Sequence, residues 1–356
     1  MEPIPDSLGE ALPEPSPAPS SFWDNLRASP WACAMLSVLA AGAVGCGLMA
    51  LSVKGYENYG ITLFCLSPAI CSFLAVILHQ WARPASGERI WPVTGAVVGV
   101  MAVIASLGLL LAAGAEGFIC IAMALPFALI LSLIGAVFGQ AVVMAFDGRP
   151  QQLPIFTLVV LLYPAAQGYE ARHPAPAVPQ LITTQVVVEA PPQRVWATLV
   201  QPVQYPAYPA ATGWFRAGVV YPTRTALAYD AAGNPPTLVC HYSQGLAHLP
   251  VAVWQPGRQL TFAVPPAVMP APMREISPYP QIHAPHLHGY FQVDSGTFRL
   301  RPLPGGRTLL EARTVYRHSI GPRFYWQLWS DYLLDAMHQR VLATLKAAAE
   351  ATPRHE

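Results

Sequence analysis

Charged residues are scarce in this sequence. Lys, Arg, Asp and Glu make up 11% of the 356 residues, whereas about 25% is usual in a soluble domain. The scarcity is concentrated between Trp31 and Tyr169, where only eight charged side chains interrupt long apolar runs. This composition excludes a uniform water-soluble globule. It indicates membrane spans in the first half and a water-facing domain in the second.

Several strong functional signals are also missing. The formal net charge is +1 and no basic stripe occurs, which argues against nucleic acid as a partner. The sequence has no Walker-type nucleotide loop, no GxSxG elbow and no HExxH helix. Five of the six cysteines lie in apolar runs and none forms a CxxC pair, so neither a disulfide framework nor a zinc site is indicated. No cofactor is predicted.

The first half contains four long apolar runs. Each has at least the ~20 residues that a helix needs to cross ~30 Å of hydrocarbon, and backbone groups inside lipid must bond within their own segment. The runs are Trp31–Val53, Gly60–Trp81, Trp91–Ala115 and Gly117–Phe146. A fifth run, Leu153–Ala166, is shorter and holds Pro154 and Pro164, so it could cross the membrane or lie in the interface.

The distribution of positive charge predicts the orientation. One side of a four-span bundle would carry four arginines and the other only Lys54, which places the N-terminus in the cytoplasm. The arginines are Arg27, Arg83, Arg89 and Arg149. Four spans would leave the C-terminal domain in the cytoplasm, and five would carry it outside. We expect five, because Ile155–Leu162 is unbroken and uncharged and Pro154 suits a first helical turn.

These features divide the chain into four parts. Residues 1–30 are predicted to be a disordered, proline-rich tail, residues 31–169 a transmembrane domain of four long spans and a short fifth, residues 170–180 a proline-rich linker, and residues 181–351 an α+β domain. In the last part, Thr183–Glu189 is typical of a strand, Gln193–Val200 of a short helix, and further strand-like runs follow. A long helix from about Pro322 to Ala351 carries an apolar stripe that needs a sheet to cover it.

Three segments of the second half carry a family resemblance. They are the opening strand and helix VVVEAPPQRVWATLV, the hairpin PLPGGRT and the end of the last helix, HQRVLATLKAAAE. Over Leu181–Ala351 the chain resembles the START-like superfamily, also called SRPBCC or the polyketide cyclase/dehydrase and lipid-transport group. The resemblance implies a helix-grip fold, a curved antiparallel sheet around a long C-terminal helix with an apolar cavity between them.

The same resemblance implies a range of functions. Members bind lipids, sterols, polyketides or other hydrophobic molecules, and some catalyse cyclisation or hydrolysis. No catalytic set is shared across the superfamily, so no catalytic residue is predicted. Two further segments, MREISPYPQIHAPHLHGY and TVYRHSIGPRFYWQLWSD, resemble a narrower bacterial set of membrane-attached proteins. This implies a multi-pass protein of the bacterial inner membrane, with its C-terminal domain on the extracytoplasmic side if five spans cross.

A long proline-rich segment, Pro265–His288, is a candidate lid over the cavity, because long connections without regular structure are commonly lids or binding loops. Within it, Met273 and Tyr279 would offer adaptable apolar contacts. Arg274 and Glu275 would place charge at the cavity rim, where an arginine fork suits the carboxylate or phosphate of an anionic lipid. A rigid surface loop is the alternative interpretation of this segment.

Other candidate ligand contacts come from the strands and the last helix. Alternation along the last strand puts Tyr316 and His318 on one face, and Tyr242 lies on a middle strand where it or its neighbour must face inward. Trp329 lies on the apolar stripe of the last helix, where it either packs on the sheet or stacks on a ligand.

His283 and His286 are further candidate ligand contacts. With His288 they form an H-x-x-H-x-H cluster, and three imidazoles would suffice for a zinc ion. Prolines interrupt the spacing, however, and no strong carboxylate partner is adjacent. We therefore do not predict a metal here.

The sequence thus favours a membrane-attached domain that binds a hydrophobic or amphipathic, lipid-like molecule, with the membrane as its other partner. Two alternatives remain open. The domain could be a cyclase- or hydrolase-like enzyme that uses a histidine or the Arg274–Glu275 pair for acid–base chemistry. It could also be a structural or sensory module whose interior is merely a packed core.

Overall fold

The computed structural model describes most of the chain. The described residues are 29–83, 91–146, 149–206, 213–229, 236–279, 282, 284, 287 and 289–351. They form a helical bundle followed by a single antiparallel sheet with a long helix across it. His283, His286 and His288 lie outside the described residues.

Four helices of the bundle are long and apolar enough to cross a membrane, and they coincide with the four long apolar runs of the sequence. Helix α1 is Pro30–Ala50 and continues through a π turn, Leu51–Gly55; α2 is Ser67–Ala82, preceded by a π turn, Thr62–Leu66; α3 is Pro92–Ala112 and α4 is Phe118–Ala145. Helices α2 and α4 approach closely, since a Cβ atom on Gly135 would lie 2.0 Å from the Ala69 carbonyl oxygen.

Helix α5, Arg149–Arg172, is longer than the fifth apolar run of the sequence. At one end, Gln152 Oε1 accepts a hydrogen bond of 2.7 Å from Trp81 Nε1. At the other, the Glu170 carboxylate accepts hydrogen bonds from the backbone N–H groups of Ile61 and Thr62 at 2.6 and 2.9 Å. Helix α5 therefore runs back along the full length of α2, although it is not among the four helices that are apolar enough to cross.

The two ends of the bundle carry different parts of the chain. At the first end, Cys33 near the start of α1 donates through its thiol to the Ala82 carbonyl at the end of α2, and α5 begins beside them, where Arg149 donates to the Trp81 carbonyl. The second end holds the connections after α1 and α3 and the end of α5. The α+β part of the chain contacts this second end.

The sheet has eight strands in the order β1-β8-β7-β6-β5-β4-β3-β2, and every neighbouring pair is antiparallel. The strands are β1 Gln180–Val188, β2 Val203–Gln204, β3 Pro222–Ala228, β4 Thr237–Tyr242, β5 Leu246–Gln255, β6 Gln259–Ala263, β7 Phe291–Leu303 and β8 Arg307–His318. Gly305 and Gly306 have φ values of 79° and 71° and turn β7 into β8 in a conformation that glycine adopts without strain.

A long terminal helix, α8 (Arg323–Glu350), packs across one end of the sheet. Its Leu342 and Leu345 are buried with Leu310 and Ala312 of β8. Two shorter helices, α6 (Pro192–Val200) and α7 (Gly213–Ala217), lie between the early strands. The sheet curls as a half-barrel around α8, which confirms the helix-grip fold expected from the resemblance.

Candidate functional site

A cavity of about 490 Å³ lies between the concave face of the sheet and α8. Its walls are mainly apolar, so an apolar ligand would be well matched to it. The strands contribute Thr225, Leu238, Cys240, Tyr242, Leu249, Leu260, Phe262, Val293, Phe298, Ala312, Thr314 and His318, and α8 contributes Trp326, Trp329, Leu333, Leu334, Met337, His338, Val341 and Leu345.

The helical bundle supplies part of the cavity wall. Tyr59, Phe64, Cys120 and Met123 all line it. Phe64 meets Trp326 of α8 edge to face, with ring centroids 4.8 Å apart. The cavity therefore lies at the junction between the second end of the bundle and the helix-grip domain, and not wholly within the latter.

Two polar side chains at this junction are buried in the cavity wall without a well-formed hydrogen bond. His318 is 4% exposed and Trp326 is 5% exposed, and neither the His318 ring nitrogens nor Trp326 Nε1 has a partner of good geometry among the described residues. Burial lowers the pKa of His318, although the nearby backbone of Ile320 acts to raise it. The imidazole is therefore neutral at pH 7, with one donor and one acceptor nitrogen.

A third polar group, His338, is fully engaged by the protein. Its Nδ1 lies 3.0 Å from Thr184 Oγ1 and its Nε2 lies 2.7 Å from Thr314 Oγ1. Thr184 donates its proton to Asp335 Oδ1 over 2.5 Å, so its oxygen must accept from Nδ1–H, and Nε2 must accept from Thr314. Burial lowers the pKa of His338 to about 4. This histidine orders the wall and is not available as a base.

Two phenols and a thiol line the part of the cavity wall formed by β3 and β4. Tyr205 shares a hydrogen bond of 2.9 Å with Thr225 Oγ1, and burial raises its pKa to about 12. Burial likewise raises the pKa of the Cys240 thiol to about 12 and that of Tyr242 well above its usual value. All three are neutral at pH 7, so this part of the wall carries no charge.

A buried arginine lies just behind this part of the wall. Arg340 is 7% exposed and donates to the carbonyl groups of Pro222 and Pro206. Its guanidinium also lies over the ring of Tyr221, 4.7 Å from the centroid. These contacts hold Arg340 on the backbone, where it fixes α8 to the early strands.

Four of the predicted site residues line the cavity: Tyr242, Met273, His318 and Trp329. Tyr316 faces α8 as the alternation predicts, but it is completely buried and its hydroxyl donates to Asp331 Oδ1 at 2.5 Å. It lies outside the cavity lining and ties β8 to α8.

The predicted rim residues lie against the bundle. Glu275 accepts hydrogen bonds from the backbone N–H groups of Ile119 and Cys120 at 2.8 and 3.0 Å. The Tyr279 hydroxyl donates to the Ala112 carbonyl at 2.8 Å. Arg274 is exposed, and its backbone N–H donates to the Gly218 carbonyl at 2.9 Å. The segment before them lines the cavity at Met269, Pro270, Ala271, Pro272 and Met273.

Several lining residues escaped the sequence analysis. His338 lies on a polar stripe of α8 that also holds Asp335. A polar stripe on a helix that covers a sheet indicates buried hydrogen bonds between the helix and the sheet. Trp326 shares the apolar stripe of α8 with Trp329, and the stripe alone does not distinguish packing on the sheet from stacking on a ligand. Tyr59, Phe64 and Cys120 carry no local signal, because their place in the wall depends on how the bundle docks against the domain.

Metal ligation finds no support in the described part of the chain, where no group of three or more His, Cys, Asp or Glu side chains could hold an ion. The predicted His283 and His286 contacts fall on residues that the structure does not describe. They stay predictions.

Comparisons with known proteins give a likeness of fold. No family model matches the chain, and no curated protein matches it. A protein from Nitrosomonas europaea is similar at 10% identity over 47% of this chain and 92% of its own, with a TM-score of 0.29. Truncated norcoclaurine synthase from Thalictrum flavum is similar at 11% identity over 51% and 98%, with a TM-score of 0.28.

An aromatase/cyclase from a Streptomyces species is similar at 15% identity over 49% of this chain and 94% of its own, with a TM-score of 0.25. Each of these likenesses concerns the fold alone. The strand order and terminal helix described above establish that fold on their own: this chain is a helix-grip domain that follows four apolar helices.

Proposed function

We propose that this protein binds a hydrophobic or amphipathic, lipid-like small molecule in the cavity between sheet and helix, beside a membrane that its bundle crosses. The cavity of about 490 Å³ is the observation that carries the proposal. Its volume falls within the range of about 300–1,000 Å³ typical of small-molecule sites. A module with a filled interior would have no such cavity.

The lining suggests how a ligand would be held. Each methylene buried against the apolar wall contributes about 0.8 kcal/mol, so the wall supplies affinity and few polar contacts are needed. His318 and Trp326, both near the bundle, are the candidates for those few contacts, and Tyr205, Cys240 and Tyr242 leave their part of the wall neutral. A ligand would therefore place its polar group toward the bundle and its apolar body against the remaining wall.

The position of the domain supports an extracytoplasmic location. Because α5 runs back along α2, the domain lies at the end of the bundle opposite Arg83 and Arg149. By the positive-inside rule, those arginines and the N-terminus would lie on the cytoplasmic side of a bacterial inner membrane. A reporter that is active only in the cytoplasm, fused after Glu356, should be silent. Activity of that reporter would overturn this orientation.

Extraction of the purified full-length protein followed by mass spectrometry of its small molecules tests the binding proposal. We expect a stoichiometric hydrophobic compound in the native protein. The Cys240→Phe variant fills part of the cavity and should lose the compound. His241→Phe is the matched control, because it places the same ring on the exposed face of the same strand. Equal retention by both variants, or no compound in any, would contradict the proposal.

A second candidate function is an acid–base enzyme of the cyclase or hydrolase kind. The observation that favours it is His318, a neutral histidine with no well-formed hydrogen bond that lines the cavity. Incubation of the extracted compound with fresh protein separates the two functions. A change in the mass or chromatographic behaviour of the compound that His318→Gln abolishes would support an enzyme. An unchanged compound would support binding alone.

A further inference from the structure

The first half of α8 lies against α4, a helix of the bundle. The Tyr325 hydroxyl donates to the Met123 carbonyl. The Tyr325 ring stacks on Phe127 with centroids 4.7 Å apart, and Phe324 meets Phe127 edge to face at 6.0 Å. A terminal helix of a water-facing domain therefore contacts a helix that is apolar enough to cross a membrane.

These contacts lie well below the end of the bundle. Helix α3 has 21 residues, about 31 Å at 1.5 Å per residue, so it just spans ~30 Å of hydrocarbon and its end at Ala112 marks the hydrocarbon boundary. Helix α4 starts at Phe118, one short turn later. Met123 and Phe127 are therefore about 8 and 13 Å along the helix axis from that boundary.

The outer face of the same half-helix is apolar. Its three exposed side chains are Phe324, Leu328 and Tyr332, which are 66%, 67% and 45% exposed. They are spaced by four residues, so they form one stripe. In the second half of α8 the exposed side chains are instead Gln339, Ala343, Ala347 and Ala348. An exposed stripe of large apolar side chains marks a contact surface.

The inner face of the half-helix lines the cavity through Trp326, Trp329 and Leu333. Helix α8 is thus a partition, with the ligand cavity on one side and the stripe on the other. Further exposed aromatic side chains lie at the same end of the bundle, where Phe118 of α4 is 49% exposed and Tyr279, bonded to the Ala112 carbonyl, is 48% exposed. Aromatic residues of this kind are enriched at membrane boundaries.

We propose that the first half of α8 is immersed in the leaflet at the second end of the bundle, with Phe324, Leu328 and Tyr332 in contact with lipid acyl chains. The depth of Phe127, which Phe324 and Tyr325 contact, and the apolar character of the stripe point to acyl chains as the occupant. The consequence for the cavity rests on the proposed function. Because only the thickness of α8 would separate the bound molecule from the acyl chains, we infer that this molecule comes from the same leaflet.

Electron paramagnetic resonance on the full chain in phosphatidylcholine nanodiscs tests the immersion. A nitroxide is attached to Leu328→Cys, and the matched control is Ala343→Cys, an exposed position about 22 Å further along the same helix. The unsubstituted chain, taken through the same labelling, gives the background from native cysteines. We expect the ratio of oxygen to nickel-chelate collisions to be several-fold higher at position 328 than at position 343.

Three results would overturn the proposal. Nickel accessibility at position 328 equal to that at 343 would place the stripe in water. Low collision rates with both reagents would indicate a protein partner, and spin–spin broadening that disappears on dilution with unlabelled chain would indicate a second copy. A co-purified hydrophobic compound together with a water-exposed position 328 would refute the immersion and leave the proposed function standing. A lipid-exposed position 328 in a protein that yields no compound would support the immersion and refute the proposed function.

Discussion

The carboxylate of Glu275 accepts hydrogen bonds from the backbone N–H groups of Ile119 and Cys120, in the first turn of α4. The first N–H groups of a helix have no partner within it, and a negative charge there also interacts favourably with the helix dipole. A side chain from the segment after the cavity lining thus completes a helix of the bundle. Glu275 therefore joins the helix-grip domain to the bundle where both parts line the cavity.

Glu275→Ala should weaken this junction. Loss of a helix cap costs about 0.5–2 kcal/mol, and we expect a lower melting temperature and faster proteolysis within the proline-rich segment in nanodiscs. Glu189→Ala is the control, since within the described residues the Glu189 side chain makes an exposed contact of 3.9 Å with Arg307 and no closer one. If both variants melt and cleave like the native protein, Glu275 does not hold the junction.

Stability should fall on acidification because of His338. Its pKa of about 4 in the folded protein lies below the value of about 6.5 in an unfolded chain. The unfolded state therefore binds more protons between these values, and the stabilisation, on the order of 3 kcal/mol, is present above pH 6.5 and lost as pH falls toward 4. Melting curves recorded at about pH 7.5 and at about pH 4.5 would measure this loss. A His338→Gln variant should show a smaller pH dependence, and an identical slope would contradict the assignment.

Removal of the buried imidazole should separate stability from binding. His318→Leu replaces a buried polar group without a well-formed hydrogen bond by an apolar one, which is neutral or stabilising by about 1 kcal/mol. The same change removes a polar contact for the ligand. We expect an unchanged or higher melting temperature together with less co-purified compound. A loss of stability with full retention of the compound would show that His318 serves the fold.

The Cys240 thiol should be inert. Its pKa of about 12 and its burial leave almost no thiolate at pH 8, so iodoacetamide should not modify the peptide that contains it. His241→Cys places a thiol on the exposed face of the same strand and should be modified rapidly. Peptide mass spectrometry distinguishes the sites. Fast modification of Cys240 in the native protein would mean that the cavity opens widely to solvent.

Much of the fold could be predicted because its signals are local. Runs of apolar residues locate the four long helices, and alternation locates the long strands such as β8. The stripe on α8 requires a sheet to cover it, and the family resemblance supplies the order of the elements. The length of α5 was underestimated, since its polar ends beyond Leu153–Ala166 do not look like a span and are held by contacts with α2.

The site was harder to predict because its contacts join distant parts of the chain. Glu275 was recognised as an important charge, but its partner is the start of α4, which no local pattern reveals. Phe64 lies in an ordinary apolar run and lines the cavity only because Trp326 docks on it. His318 was found, since the alternation of a single strand was enough to turn it inward.

The pairing of β1 with β8 has a consequence for biosynthesis. Gln180 of β1 lies opposite Tyr316 of β8. Because β8 is the last strand of the sheet to be synthesised, β1 has no strand to pair with until β8 has left the ribosome. Contacts between residues so far apart in sequence form slowly, and an unpaired strand edge invites association with other chains. The nascent domain is therefore prone to association during this interval, and attachment to an already folded helical bundle would limit its encounters with other unfinished chains.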